Sequence, residues 1–308
     1  MGKNRSSNLS RGKNLFLFCV LAPTFIWFLI YFIIPFISVF VYSFTNAHMA
    51  YPTFKFVGLD QYTKAFTKDA TFLISFKNTI IAALVIVPST VSLSILLAAG
   101  LNAMSEKVRQ SFTFIFFLPS VISSVAISLV WDWLYSRSYG LFNAILNALG
   151  LPSQAFLTST SQALICLCII QIWAIFGYYA VILLAAIRGI DKALYEAADI
   201  DGAGAVKKFI LITIPLIKNN ILFVCIMSTT TAFMFFTPVK ILTNGTPGTS
   251  TMVILLHILN KGIKNSDIGY ASAMSIVLMF IILFFSLIQW FISKERKVKV
   301  RHYKGKGA

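Results

Sequence analysis

Six stretches of this 308-residue chain contain no Asp, Glu, Lys or Arg: 14–54, 78–105, 110–131, 138–187, 219–239 and 268–293. Each exceeds the roughly 20 residues that cross a hydrocarbon core at 1.5 Å rise per residue. The composition agrees, being 58% hydrophobic and 12% charged, about half the charge of a soluble domain. The chain reads as one membrane domain over 1–308, all-α and polytopic, with six transmembrane helices.

The spans fall within 15–44 and at about 77–103, 112–134, 163–187, 209–236 and 270–293. The first apolar run is far longer than the 7–15 residues of a signal peptide and ends without a small-x-small cleavage site, so it reads as a retained span. Pro23 and Pro35 are expected to kink it. Trp131, Trp133 and Tyr135 are expected to form an interface belt at the outer end of the third span.

The net charge of +16 raises the question of nucleic acid, but its distribution points to a membrane. With six spans and an inner N-terminus, 1–14, 106–109, 188–218 and the basic tail 294–308 all lie inside. They carry 18 of the 26 basic residues, the positive-inside asymmetry that places both termini in the cytoplasm. The tail would lie against anionic lipid headgroups, not nucleic acid. Cys19, Cys166, Cys168 and Cys225 all fall in spans without Cys-x-x-Cys spacing and read as packing residues. His48, His257 and His302 lack ligand spacing and read as loop or tail residues, so no metal site is expected.

Between the fourth and fifth spans lies a polar island, 188–208. Asp191 suits an N-cap and Lys192 onward favours helix. Gly202 suits the left-handed residue that ends one, letting the chain turn into a second short helix. Leu194 and Tyr195 could be apolar anchors, and Glu196, Asp199 and Asp201 supply charge. Ala197, Ala198, Ala203 and Ala205 allow close approach of a partner. Three carboxylates and four alanines make a poor lipid anchor, and they suit a short helix laid in a protein groove.

Glu196-Ala197-Ala198, followed by Asp201-Gly202-Ala203, Phe209, Ile212 and Pro215, resembles the EAA loop of permease subunits of bacterial ABC importers. Other pieces point to the carbohydrate type, similar to the first permease subunit of the maltose and glycerol-3-phosphate importers. They are Tyr42-Ser43-Phe44-Thr45, the "FVGLxNY"-like 56–62, Phe117-Leu118-Pro119, the "YGLxN"-like 139–143, the "xLTxGGP"-like 241–247 and the "GYASA"-like 269–273.

The resemblance implies a type I importer permease fold with a cytoplasmic coupling helix in the inner membrane. It assigns ATPase coupling to Leu194, Tyr195, Glu196, Ala197, Ala198, Asp201, Gly202 and Ala203. It implies as partners a second homologous permease, an ABC ATPase dimer and an extracytoplasmic solute-binding protein, with ATP and Mg on the ATPase and no cofactor here. No G-x-x-x-x-G-K-[ST] phosphate cradle occurs in the sequence, so the chain is not expected to be an enzyme.

A sugar path needs hydroxyl-bonding and aromatic groups on one helical stripe. Gln171, Ile175 and Tyr178 form such a stripe on span four, and Ser228, Thr231, Ala232 and Phe235 on span five. Ordinary helix packing would use the same residue types. A glycerophosphodiester is an alternative solute. An ion-coupled carrier would need ionisable groups deep in the spans, and only Asp132 comes near one.

Overall fold

The computed structural model describes residues 3–51 and 53–294. The tail beyond Lys294, with His302, lies outside the described residues, as do Met1, Gly2 and Pro52. No strand occurs among the described residues.

In chain order the helices are α1 (Lys3–Phe28), α2 (Ile34–Tyr42), α3 (Asp60–Thr67), α4 (Ala70–Ala103), α5 (Glu106–Val121), α6 (Ser124–Leu134) and α7 (Leu141–Ala148). Then follow α8 (Ala163–Arg188), α9 (Lys192–Ile200), α10 (Ala205–Leu216), α11 (Lys218–Phe233), α12 (Ile254–Leu259) and α13 (Ile268–Lys294). Four helices among the described residues are long and apolar enough to cross a membrane, and six candidate spans result if each bent pair counts as one.

The departures from the expected spans have local causes. The third span, expected as one helix over 112–134, is α5 and α6 bent by 100°. Ile122 between them is extended and Ser123 is non-helical. Pro119 lies in the last turns of α5. There it has no N–H for the carbonyl of Ile115, and the Ser120 hydroxyl caps the Phe117 carbonyl at 2.6 Å.

The fifth span is likewise broken, α10 and α11 meeting at 71° around Ile217. Pro35 and Pro215 each follow a π-helical turn, Leu29–Ile33 and Phe209–Thr213, by two residues. A widened turn gives the proline ring room against the carbonyl four residues back. The second span starts seven residues earlier than expected, because Asp69 caps it by accepting the Phe72 N–H at 3.1 Å.

The chain divides into two compact units. The first comprises, among the described residues, 3–51, 53–68 and 258–277. Here three of the motifs meet: Gln61 donates to the Thr45 carbonyl at 3.0 Å, Tyr62 to the Ser43 hydroxyl at 2.7 Å, and the Gly269 N–H to the Ala47 carbonyl at 2.8 Å. Lys64 pairs with Asp267 at 2.9 Å and lies over the Tyr270 ring. The first span, Phe16–Tyr42, has no buried residue in its most apolar stretch.

The second unit comprises, among the described residues, 69–257 and 278–294, and its core is α4 against α8. Val91, Ala98 and Leu101 pack with Tyr179, Leu183, Leu184 and Ile187, joined by Ile217 and Val224. The Ser94 hydroxyl reaches across to the Phe176 carbonyl at 2.8 Å. Helix α5 meets α8 backbone to backbone: a Cβ at Gly177 would lie 1.8 Å from the Phe116 carbonyl oxygen. Small residues at such crossings are how membrane helices pack closely.

Trp131 and Tyr135 do not form the expected belt. They are buried in an aromatic cluster with Phe142, Phe156 and Trp173, and only Trp133 is exposed. The loop after them contains α7 and is clamped by buried Asn143, which donates to the Arg137 and Gln154 carbonyls and accepts the Gln154 N–H. His257, expected in a loop, is buried in α12, with Nε2 2.9 Å from the Asp69 carboxylate. Cys166 and Cys168 are buried packing residues as expected, Cys225 is half-buried, and Cys19 is exposed.

Replacing Gly177 by Ala must push α5 from α8, an overpacking cost of about 1–3 kcal/mol. Gly100, in α4, has open space where a Cβ would go, and there Ala should be neutral or stabilising by about 0.5–1 kcal/mol. Thermal unfolding in detergent should show Gly177→Ala melting several degrees lower and Gly100→Ala at or above wild type.

Candidate coupling site

The polar island folds as a capped helix and a turn. Asp191 caps α9 by accepting the Ala193 N–H at 3.0 Å. Gly202 ends it at φ +70°, with the Ala203 N–H on the Ala198 carbonyl (2.9 Å) and the Gly202 N–H on the Asp199 carbonyl (3.0 Å). This paired pattern is the Schellman closure, which requires a left-handed residue at Gly202. Space beyond the Gly202 Cα is open, so a side chain there is opposed by backbone strain and not by a clash.

Two contacts hold α9 against α10. Lys208 pairs with Asp199 at 2.5 Å, and the Tyr195 hydroxyl is 2.8 Å from the Thr213 hydroxyl. Tyr195, expected as an apolar anchor, is therefore half-buried and tied inward. It lines a cleft of about 620 Å³ with Ala205, Val206 and Thr213 from α10, Ile187 from α8, and Leu96 and Asn102 from α4.

The outward surface carries Leu194, Glu196, Ala197, Asp201 and Gly202, all exposed, with Ala198 and Ala203 half-buried. Two apolar side chains not singled out from the sequence stand out furthest: Ile200 is 88% exposed and Val206 72%. Their signal was readable, since Ile200 lies between Asp199 and Asp201 in a segment that buries nothing.

The two sugar-path stripes fare differently. On α8, Tyr178 is exposed with its ring 6.3 Å from that of Phe117, and Gln171 and Ile175 are half-buried. Ile175 also packs against the α4–α8 core. On α11 the stripe does not stay open: Ser228, Ala232 and Phe235 are buried. The helix, expected to reach about 236, ends at Phe233, so Phe235 does not continue its face. The Thr231 hydroxyl bonds the Met227 carbonyl at 2.9 Å and meets the Tyr179 hydroxyl at 3.2 Å. The buried Ser228 hydroxyl has no hydrogen-bond partner among the described residues. Asp132 is exposed on α6, and no cluster of metal-ligating side chains occurs among the described residues.

Residues 90–298 match the family described as binding-protein-dependent transport system inner membrane component, and the chain belongs to that family.

Among relatives, the chain is 30% identical to the diacetylchitobiose uptake system permease protein NgcF of Streptomyces coelicolor, over 95% of this chain and 86% of that one. It is also 30% identical to the arabinooligosaccharides transport system permease protein AraP of Bacillus subtilis, over 90% and 88% respectively. In three dimensions it resembles a chain of a bacterial ABC transporter involved in the import of the acidic polysaccharide alginate, with TM-score 0.82, 26% identity, and coverage of 96% of this chain and 99% of that one. A chain from the alginate transporter in complex with alginate pentasaccharide-bound periplasmic protein gives TM-score 0.81 at 27% identity, over 92% and 95% respectively. The fold is the type I ABC importer permease fold, and the chain is an integral membrane protein.

Removing the α9 cap tests the local architecture. Asp191→Ala should cost about 1 kcal/mol of helix stability. Amides 193–195 should then exchange with solvent about fivefold faster, as read by mass spectrometry of the full chain in detergent.

Proposed function

We propose that this chain is one of two permease subunits in an ATP-driven importer of a sugar or oligosaccharide in the bacterial inner membrane. In this reading both termini and the 188–208 elbow face the cytoplasm. A solute-binding protein delivers the sugar outside. ATP and Mg bind a separate ATPase dimer, which receives α9. The observation that carries the reading is the exposed, capped α9 elbow with Ile200 and Val206 facing outward between two spans. A solvated apolar tip on a rigid helix suits a groove in another protein.

The carbohydrate assignment is supported by the relatives, whose names specify diacetylchitobiose and arabinooligosaccharides. It is also supported by Tyr178, an open aromatic face beside Phe117 of the kind that stacks on a sugar ring.

Two expectations follow. Ile200→Glu and Gly202→Asp should leave membrane insertion intact but reduce ATPase co-purification and ATP-dependent uptake at least tenfold. Wild-type uptake by both variants would remove the elbow from the coupling role. Tyr178→Ala should leave assembly unchanged while weakening oligosaccharide-stimulated ATP hydrolysis, assayed with a panel of labelled oligosaccharides. Unchanged stimulation across the panel would take Tyr178 out of the path.

A further inference from the structure

Beside the coupling elbow lies a second cleft, about 440 Å³, between α5 and α8. Its polar groups collect at one end. Glu106, Arg109 and Gln110 come from the first turn of α5, and Arg188 from the last turn of α8, three residues before the α9 cap. Away from that end the walls turn apolar, with Phe114 and Phe117 on α5 facing Val181 and Leu184 on α8. Thr113 sits between the two zones.

The guanidinium groups are not equivalent. Arg109 is nearly buried and is satisfied by Glu106 and the Met104 carbonyl. Arg188 is half exposed, and its nearest charge is Glu106 at 3.6 Å, beyond hydrogen-bond reach. Its side chain makes no hydrogen bond among the described residues, so its donors stay open toward the cleft.

The geometry points to a binding site for one anionic phospholipid of the leaflet on the elbow side. Its phosphate would take donors from Arg188 and the second amide proton of Gln110, whose Nε2 already donates to Glu106 Oε1 at 3.1 Å, and its acyl chain would lie along Phe114, Phe117, Val181 and Leu184. The order of the lining is the argument. Charge at the helix ends and hydrocarbon further in reproduce the polarity profile of a lipid in one leaflet. A solute path would instead distribute polar groups along its length. Basic pockets between membrane helices on the cytoplasmic side are a recognised mode of anionic headgroup binding. The inference rests on the membrane-spanning fold and is independent of the transported solute.

The test uses the full chain in nanodiscs of phosphatidylcholine with or without phosphatidylglycerol, followed by native mass spectrometry of retained lipid. Wild type should keep one phosphatidylglycerol per chain in preference to phosphatidylcholine. Arg188→Gln should lower that retention about fivefold, as expected for one basic residue near a headgroup. Glu106→Gln removes the competing carboxylate and should raise it. Retention unchanged in Arg188→Gln or lowered in Glu106→Gln would overturn the site. So would an assembled transporter that holds no lipid there because a second permease covers the cleft, or displacement of the lipid by added oligosaccharide.

Discussion

Hydrocarbon offers no water to an unpaired amide or carbonyl, so every backbone group in a span must find its partner within the protein. Most of this structure follows from that constraint, and its irregularities are the places where the helix cannot meet it alone. Prolines create the deficit, because each removes a donor and crowds the carbonyl four residues back. The chain answers in two ways. Before Pro35 and Pro215 the turn widens to π geometry. After Pro119 the helix runs only to Val121, the Ser120 hydroxyl adds a bond to the Phe117 carbonyl, and the chain turns through 100°. Helix α4, which keeps Pro88 within it, and α8 carry the packing, and Gly177 lets α5 come within backbone contact of α8.

The motifs that look most specific in the sequence divide by role. Those at 42–45, 56–62 and 269–273 are drawn together by Gln61, Tyr62 and Gly269, across some 200 residues of chain. They hold the first compact unit closed. Asn143, in the motif at 139–143, ties down its own loop. The motif at 196–203 is different in kind. Its residues are mostly exposed and cover almost nothing, so they add little to the packing of this chain.

Several features were legible because one residue type decided them. The absence of charge gave six apolar runs. Asp191 and Gly202 fixed both ends of α9, since a capping carboxylate and a left-handed glycine leave few alternatives. Less legible were features that depend on distant partners. Nothing near Trp131 in the sequence announces Phe156 or Trp173, so a buried aromatic cluster read as an interface belt. His257 looked like a loop residue because its partner, Asp69, lies 188 positions away. The burial of Ser228, Ala232 and Phe235 was illegible for another reason: helical spacing says which residues share a face, but not whether that face opens or packs. Pro119 could open a helix or end one, and only the course of the chain decided it.

The two contacts that brace α9 also give the elbow a mechanical character. Asp199–Lys208 and Tyr195–Thr213 join the two arms at separate points, so swivelling at Gly202 would break both contacts. Thr213 lies four residues before the bend at Ile217. The doubly tied arms therefore form one lever-shaped piece that ends where the fifth span breaks.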